Sequence, residues 1–251
     1  DSFGLENVLW FANNKEDAHE EPTIKRSRSH DYVSKEVINV RENVGLIEVA
    51  NFSKHEFKGP DARKFLDHIM AGRLPKPGRI SLSPMLSYRG KLCGDLTVAC
   101  LDENEFMVFG SGAAQEMHRR WFESHLDKFN LSYSNRSDEY HGLSIAGPNS
   151  RKVLEKIVRD DVSNEKFKFR DSRRMFVGGV PAIINRISFT GELGYEIYVA
   201  PHYQLKLYEE LMEAGKEFNI KPFGGRALMS MRLEKNWGAW TLDYRPDFTA
   251  K

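Results

Sequence analysis

The sequence predicts an α+β fold made of two related halves. Segments with strand-like and helix-like patterns alternate from residue 44 onward, and hairpin-like strand pairs argue against a doubly wound parallel sheet. One strand–Gly-Pro–helix segment also occurs twice, since residues 57–69 parallel residues 145–157 in residue type. Two copies are too few for a solenoid, so we expect two α/β halves packed side by side.

The composition narrows the class of protein. A chain of 251 residues with 40% hydrophobic residues can bury a substantial core. Its 37 Lys and Arg residues nearly cancel 36 Asp and Glu residues, so it has no global field to attract nucleic acid or an acidic membrane. Two cysteines are too few for a disulfide scaffold, and no secretory signal or membrane span is indicated. We therefore expect a cytoplasmic globular protein without nucleic-acid or membrane partners.

The first forty residues are predicted to be an arm, which precedes one domain over residues 41–251. Residues 13–35 are charged and poor in aliphatic side chains, as is typical of a solvated segment. Trp10 and Phe11 are the large apolar residues expected to anchor this arm.

The periodicity of apolar residues predicts eight strands and five helices after the arm. The strands are expected at 45–50, 80–86, 95–101, 105–109, 143–146, 175–179, 182–189 and 195–199, and the helices at 59–70, 113–129, 149–158, 203–218 and 226–237. In both copies of the repeat, the proline after the glycine suits the first turn of a helix.

One glycine pair resembles a nucleotide-binding loop. Gly110 and Gly112 follow a predicted strand and precede a helix, but Gln115 occupies the place of the third glycine. Phosphate-loop, His-Glu-x-x-His and Cys-x-x-Cys motifs do not occur in the sequence. We therefore expect neither a dinucleotide site nor a metal site.

Two carboxylates are candidates for chemistry. Asp95 begins an apolar strand, where it is either a solvated strand-end residue or, if it faces a cavity, an acid–base group whose pKa is raised by burial. Glu196 lies on the strand face opposite to Tyr195 and Ile197. It is either an ordinary outward glutamate or an inward pair of acceptors for the donor edge of a heterocycle. The pattern alone leaves both alternatives open.

Four segments together resemble a known family. They are Lys58-Gly59-Pro60-Asp61-Ala62, residues 90–98, residues 190–196 and Arg232-Leu233-Glu234-Lys235. In this order they resemble the folate-binding domain of the glycine-cleavage T-protein (aminomethyltransferase) superfamily. The similarity covers nearly the whole chain. It is greatest to the version fused behind the flavin domain in dimethylglycine and sarcosine dehydrogenases.

This resemblance implies a fold, a ligand and a set of site residues. The family forms a compact disk whose central channel binds tetrahydrofolate, and it continues into a closing β-barrel that this chain lacks. Asp95 matches the catalytic aspartate and Glu196 the glutamate that grips the pterin, while Leu82, Thr97, Phe189 and Trp237 would line the channel by position. The implied reaction transfers one carbon from an amine of the dimethylglycine, sarcosine or aminomethyl type, giving 5,10-methylenetetrahydrofolate. A fused flavin domain or a partner protein would supply that carbon.

Two departures from the family pattern keep alternatives open. Glycine-cleavage members have aspartate where this chain has Gly94, and an Arg-Asp pair where it has Leu228-Met229. These differences favour the dehydrogenase-type relatives or a tetrahydrofolate-dependent demethylase. A non-catalytic folate-binding protein that assists iron–sulfur assembly is another alternative, but residues 232–238 lack the cysteine typical of such proteins. A purely structural domain would instead leave Asp95 and Glu196 outward and solvated.

Overall fold

The computed structural model describes residues 10–240 and 242–244 and arranges them in two β-sheets with six helices. The strands are β1 Val44–Glu48, β2 Ser53–Lys58, β3 Arg79–Leu86, β4 Leu92–Asp102, β5 Glu105–Gly110, β6 Ser132–Asn135, β7 His141–Ala146, β8 Ser172–Val177, β9 Val180–Asn185, β10 Gly194–Val199 and β11 Ile220–Pro222. The helices are α1 His30–Glu42, α2 Ala62–Ile69, α3 Gln115–Glu123, α4 Ser150–Ile157, α5 Gln204–Gly215 and α6 Gly225–Glu234.

The six-stranded sheet has the order β11-β1-β7-β10-β9-β8, and the five-stranded sheet has the order β3-β4-β5-β2-β6. Neighbouring strands are antiparallel except for β1 and β11, which are parallel. The described residues thus form two open sheets, and the predicted α+β class is confirmed. Among these residues, no helix combines the length and the apolar character needed to cross a membrane.

Strand alternation divides the core into layers. On β10, Tyr195 and Ile197 join the cluster that helices α4 and α5 cover. On β4, Leu96 and Val98 join the cluster beneath helices α2 and α3. The remaining faces of the two sheets meet in a cluster that we call the inter-sheet layer. Its fully or nearly fully buried members are Val49, Ile80, Ala99, Met107, Phe109, Ile183 and Tyr198.

The predicted repeat is confirmed in backbone geometry. Gly59 follows β2 with φ +137°, and Gly147 follows β7 with φ +131°. Such values favour glycine, and a Cβ at Gly147 would also lie 2.5 Å from the carbonyl oxygen of Asn43. After each glycine the chain enters a helix, α2 in one half and α4 in the other. The two halves therefore share a strand–Gly-Pro–helix unit.

Several element boundaries differ from the predictions. The helix predicted at 113–129 contains only α3, flanked by 3-10 turns at Gly112–Ala114 and Leu126–Lys128. The strand predicted at 182–189 ends at Asn185, so Phe189 lies in the loop before β10. Strands β2, β6 and β11 were not predicted, because β2 is polar and the other two have only four and three residues.

Helix α1 begins within the segment predicted to be an arm. Its Val40 is fully buried in a cluster with Ala227 and Met231 of α6. Nearer the N-terminus, the ring centroid of Trp10 lies 5.1 Å from that of Tyr32 on α1, whereas Phe11 is exposed. Trp10 thus contacts the folded part, and the domain boundary at residue 40 stays a prediction.

Backbone hydrogen bonds join the two sheets along one side. The amide of Ile80 at the start of β3 donates to the carbonyl of Arg170, and the amide of Ser172 on β8 donates to the carbonyl of Gly78. The buried carboxylate of Asp171 pairs with Arg79 at the same place. These contacts hold β3 of one sheet beside β8 of the other, which positions the inter-sheet faces described next.

Candidate functional site

Glu196 faces the inter-sheet layer. It lies on β10 with Ser144 of β7 and Asn185 of β9 as its cross-strand partners. The hydroxyl of Tyr198 donates to its Oε2 at 2.8 Å, whereas its Oε1 takes no hydrogen bond from the described residues. Burial raises the pKa of Glu196 to about 7, and the bond from Tyr198 only partly opposes that rise. Glu196 is therefore an inward carboxyl group with one oxygen left for a ligand.

Tyr198 links Glu196 to the opposite sheet. Its ring stacks on that of Phe109 of β5 with centroids 4.6 Å apart and planes inclined by 29°. Its side chain is fully buried, and desolvation together with the neighbouring carboxyl raises its pKa well above the ordinary value. The phenol thus stays protonated and remains a hydrogen-bond donor to Glu196.

Asp95 points to the same layer from the five-stranded sheet. It lies on β4 opposite Pro84 of β3, and it shares a strand face with Ala99, a buried member of the inter-sheet layer. The side chain is half-buried, and desolvation raises its pKa above the ordinary value. A carboxyl group in this state holds its proton nearer to neutral pH, which suits acid–base work.

His118 of α3 supports the strand behind Asp95. Its Nε2 lies 3.1 Å from the carbonyl oxygen of Cys93, so this nitrogen must carry the proton and donate it. A Cβ at Gly94 would lie 3.0 Å from the same nitrogen. The imidazole is fully buried, and desolvation lowers its pKa, so it is neutral. Gly94 therefore packs closely against this imidazole, and a larger side chain there would require the ring to shift.

Leu82 and Thr97 line the inter-sheet face of the five-stranded sheet. They are cross-strand partners on β3 and β4, and Thr97 also pairs with Phe109 on β5. Leu82 keeps 42% of its surface exposed although it lies on a core-facing side. An exposed apolar side chain of this kind is a surface that an apolar ligand can cover.

Phe189 and Trp237 lie on the other side, in the loop before β10 and in the segment after α6. Lys235 connects their neighbourhoods, because its Nζ donates to the carbonyl of Ser188 at 2.8 Å and lies 5.0 Å from the Trp237 ring centroid. Trp237 is 38% exposed and Phe189 is half-buried. The role of both residues in lining a channel stays a prediction.

Two polar residues that face the inter-sheet layer were not predicted from the sequence. Asn185 is fully buried, and the hydroxyl of Ser172 donates to its Oδ1 at 2.7 Å, but its Nδ2 has no hydrogen-bond partner among the described residues. Lys54 of β2 is also fully buried, and burial lowers its pKa to about 8. Its Nζ donates to the carbonyl of Ala50 at 2.5 Å and lies 6.0 Å from the ring centroid of Tyr198.

Two alternatives from the sequence can now be judged. A purely structural domain predicts that Asp95 and Glu196 are outward and solvated, whereas both lie on the faces between the sheets and are half-buried. At the glycine pair 110–112, a Cβ on Gly112 would lie 2.0 Å from the carbonyl oxygen of Asn51. This glycine therefore permits a close backbone contact within the fold.

The comparisons with known proteins agree on one family. The family model described as the GCVT N-terminal domain matches residues 1–251. Mitochondrial dimethylglycine dehydrogenase of Mus musculus is 36% identical over 240 residues, which are 94% of this chain and 28% of that protein. Aminomethyltransferase of Halothermothrix orenii is 31% identical over 200 residues, 79% of this chain and 55% of that protein.

A solved structure supports the same fold. The glycine cleavage system aminomethyltransferase T from Bartonella henselae superimposes with a TM-score of 0.77 at 24% identity, covering 86% of this chain and 58% of that one. The chain spans only 28% of the length of the dimethylglycine dehydrogenases that it matches.

The contact between Gly94 and His118 predicts the effect of adding one methyl group. We expect Gly94→Ala to lower the free energy of unfolding by about 1–3 kcal/mol, because the new Cβ would lie 3.0 Å from the imidazole Nε2 and would force the ring to shift. In a His118→Ala background the same change should be much less destabilising. Urea unfolding of the four proteins measures both values, and an equal loss in the two backgrounds would contradict the packing argument.

The raised pKa of Glu196 predicts a pH-dependent stability. Between its ordinary value of 4.5 and about 7, the folded protein holds a proton that the unfolded chain has lost, so rising pH destabilises the fold. By pH 8 this titration has lowered the free energy of unfolding by about 3 kcal/mol relative to pH 4. Glu196→Gln lacks the titration, so its stability advantage over the wild type should grow from pH 4.5 to 8. Parallel unfolding profiles for the two proteins over this range would refute the assignment.

Proposed function

This chain belongs to the GCVT N-terminal domain family, and we propose that it binds tetrahydrofolate between its two sheets for one-carbon transfer. The observation that carries the proposal is Glu196, an inward carboxyl group that keeps Oε1 for a ligand while Tyr198 holds Oε2. A pterin ring presents adjacent N–H donors along one edge, and a carboxylate matches such an edge with two parallel acceptors. Glu196 would therefore orient the pterin.

The surrounding residues fit a flat heterocycle. Leu82 and Thr97 offer an apolar and a polar surface on one sheet. Phe189 lies in the segment that leads into β10, and Lys235 connects this segment with Trp237. The unpartnered Nδ2 of Asn185 lies beside Glu196 and indicates a polar group that the protein itself does not supply. These features favour a ligand with both polar edges and aromatic faces.

Asp95 would act on the proton of the reacting amine. The donor is an iminium or aminomethyl carbon derived from an amine of the dimethylglycine, sarcosine or aminomethyl type, already at the oxidation level of formaldehyde. Two nitrogens of tetrahydrofolate form bonds to this carbon while its bond to the donor nitrogen breaks, which gives 5,10-methylenetetrahydrofolate and releases the amine and a proton. Asp95 is half-buried, so its carboxylate can take up the proton and stabilise positive charge more strongly than in bulk water. Because Glu196 orients the pterin in advance, less entropy is lost when the folate nitrogen meets the electrophilic carbon.

The amine donor and its delivery belong to the proposal as well. Relatives include mitochondrial dimethylglycine dehydrogenase and the alpha subunit of sarcosine oxidase from Rhizobium meliloti, of which this chain spans 28% and 24%. We propose that a flavin domain or partner protein generates the electrophilic carbon, as the resemblance implies. A cytoplasmic location stays a prediction from composition.

A tetrahydrofolate-dependent demethylase is the alternative: it would use the same site but would transfer a methyl group, so both the donor and the folate product would differ. A non-catalytic folate protein in iron–sulfur assembly fits less well. The two cysteines of this chain are Cys93 and Cys100, and both contact the cluster on the helix-covered face of the five-stranded sheet. Neither belongs to the cluster between the sheets, where we place the folate.

Binding of tetrahydrofolate tests the site. We expect saturable binding to the wild type and at least tenfold weaker binding to Glu196→Ala, equal to about 1.4 kcal/mol, because the acceptors for the pterin edge are lost. Isothermal titration calorimetry measures both. Glu213→Ala, which makes the same chemical change at an exposed position of α5, is the matched control. A folded wild-type chain without detectable binding would overturn the proposal.

The transfer step is tested at Asp95. We expect Asp95→Asn to bind tetrahydrofolate nearly as well as the wild type but to lower the catalysed rate of 5,10-methylenetetrahydrofolate formation about 100-fold or more. Because the pKa of Asp95 is raised, the wild-type rate should fall as pH decreases through a value above the ordinary aspartate range. Stopped-flow absorbance with an aminomethyl donor measures the rate, with the exposed Asp127→Asn as control. Unchanged catalysis in Asp95→Asn would exclude this role.

A further inference from the structure

The geometry points to Asn185 as a specificity residue: we propose that its Nδ2 donates a hydrogen bond to the 4-oxo oxygen of the pterin that Glu196 holds. This inference rests on the proposed function and deepens it, since it adds a second polar contact. It also states which pterins the site accepts, namely those that carry a hydrogen-bond acceptor at position 4.

The first support is an unsatisfied donor. Asn185 is fully buried, yet its Nδ2 has no partner among the described residues, while its Oδ1 accepts from Ser172 at 2.7 Å. Leaving a buried amide donor unpaired disfavours folding, so such groups are rare in native proteins. Rotating the amide by 180° does not remove the problem, because the single contact with Ser172 then leaves Oδ1 unpaired.

The second support is the register of the six-stranded sheet. Asn185 and Glu196 are direct cross-strand partners on β9 and β10. Both side chains lie on the inter-sheet face. Residues two apart on a strand share a face, and Ile183 on β9 and Tyr198 on β10 are members of the inter-sheet layer. Side chains opposite each other on one face have Cβ atoms about 4.5–5.5 Å apart. The amide and the carboxyl group can therefore reach neighbouring atoms of one ring.

The third support is the match between these two groups and the pterin edge. In the lactam form, the N3–H donor lies next to the oxygen on C4, which is an acceptor. A carboxylate beside an amide N–H presents an acceptor and then a donor in the same order. Because Ser172 holds Oδ1, the amide offers Nδ2 towards this oxygen. A 4-amino pterin places a donor there instead, so the site would disfavour it.

The infrared spectrum of the bound ligand tests this hydrogen bond directly. Tetrahydrofolate labelled with ¹³C at C4 is bound to the full chain, and the C4 carbonyl band is obtained by difference against unlabelled ligand. In the wild type, we expect the band close to its position in water, because Asn185 replaces the solvent donor. In Asn185→Leu, which has a similar shape but no donor, the band should move towards its position in an aprotic solvent.

Calorimetry provides the second readout. We expect Asn185→Leu to bind tetrahydrofolate at least tenfold more weakly than the wild type. Asn39→Leu is the matched control, since Asn39 is a buried amide of α1 that bonds to the carbonyls of Val44 and Asn219. The control should leave both the affinity and the carbonyl band unchanged. If Asn185→Leu does not fold, Asn185→Val is measured in its place.

The outcomes separate this inference from the proposed function. If Glu196→Ala weakens binding but Asn185→Leu leaves the band and the affinity unchanged, folate binds as proposed and the role of Asn185 is refuted. If the carbonyl band of the ligand bound to the wild type already lies where it does in an aprotic solvent, that role is refuted without any variant. If the folded wild type does not bind tetrahydrofolate at all, the proposed function fails and this inference fails with it.

Discussion

The stack of Tyr198 on Phe109 is the contact on which the candidate site depends. It joins the two sheets face to face at 4.6 Å, and the hydroxyl of the same tyrosine fixes Glu196. One side chain thus sets both the spacing of the layer and the orientation of its carboxyl group. Helices cover the outer faces of both sheets, and this inner layer keeps the carboxyl groups of Glu196 and Asp95 partly out of water.

Desolvation shifts the pKa values of three ionisable side chains that face the inter-sheet layer, in each case towards the neutral form. It raises the pKa of Glu196 and of Asp95, and it lowers the pKa of Lys54 to about 8. Each shift favours the neutral form and therefore brings the group closer to exchanging its proton near neutral pH. The shifts also lower the stability of the ligand-free fold wherever these groups are ionised. Proton-transfer capacity and stability are thus in opposition within one layer, as is common at functional sites.

The features that depend on neighbouring residues, such as glycine turns and the two faces of a strand, could be predicted from the sequence. The pairing of residues across neighbouring strands could not. The Gly-Pro repeat at Gly59 and Gly147 was predictable because it depends on a few adjacent residues. Alternation also predicted that Glu196 lies on the strand face opposite Tyr195, but not that this face is the inward one. Strand β2 escaped prediction because both of its faces are covered while it carries Lys54 and other polar residues. Asn185 was missed because its neighbour Glu196 is 11 positions away and only the sheet brings them together.

The packing of His118 against Gly94 also has a consequence for how substitutions at these two positions combine. A Cβ at position 94 would lie 3.0 Å from the imidazole Nε2, which is closer than ordinary van der Waals contact. A larger side chain at position 94 is therefore accommodated only where the imidazole shifts or is replaced. The effects of substitutions at positions 94 and 118 are thus non-additive, and the two positions have to be changed together when this strand is redesigned.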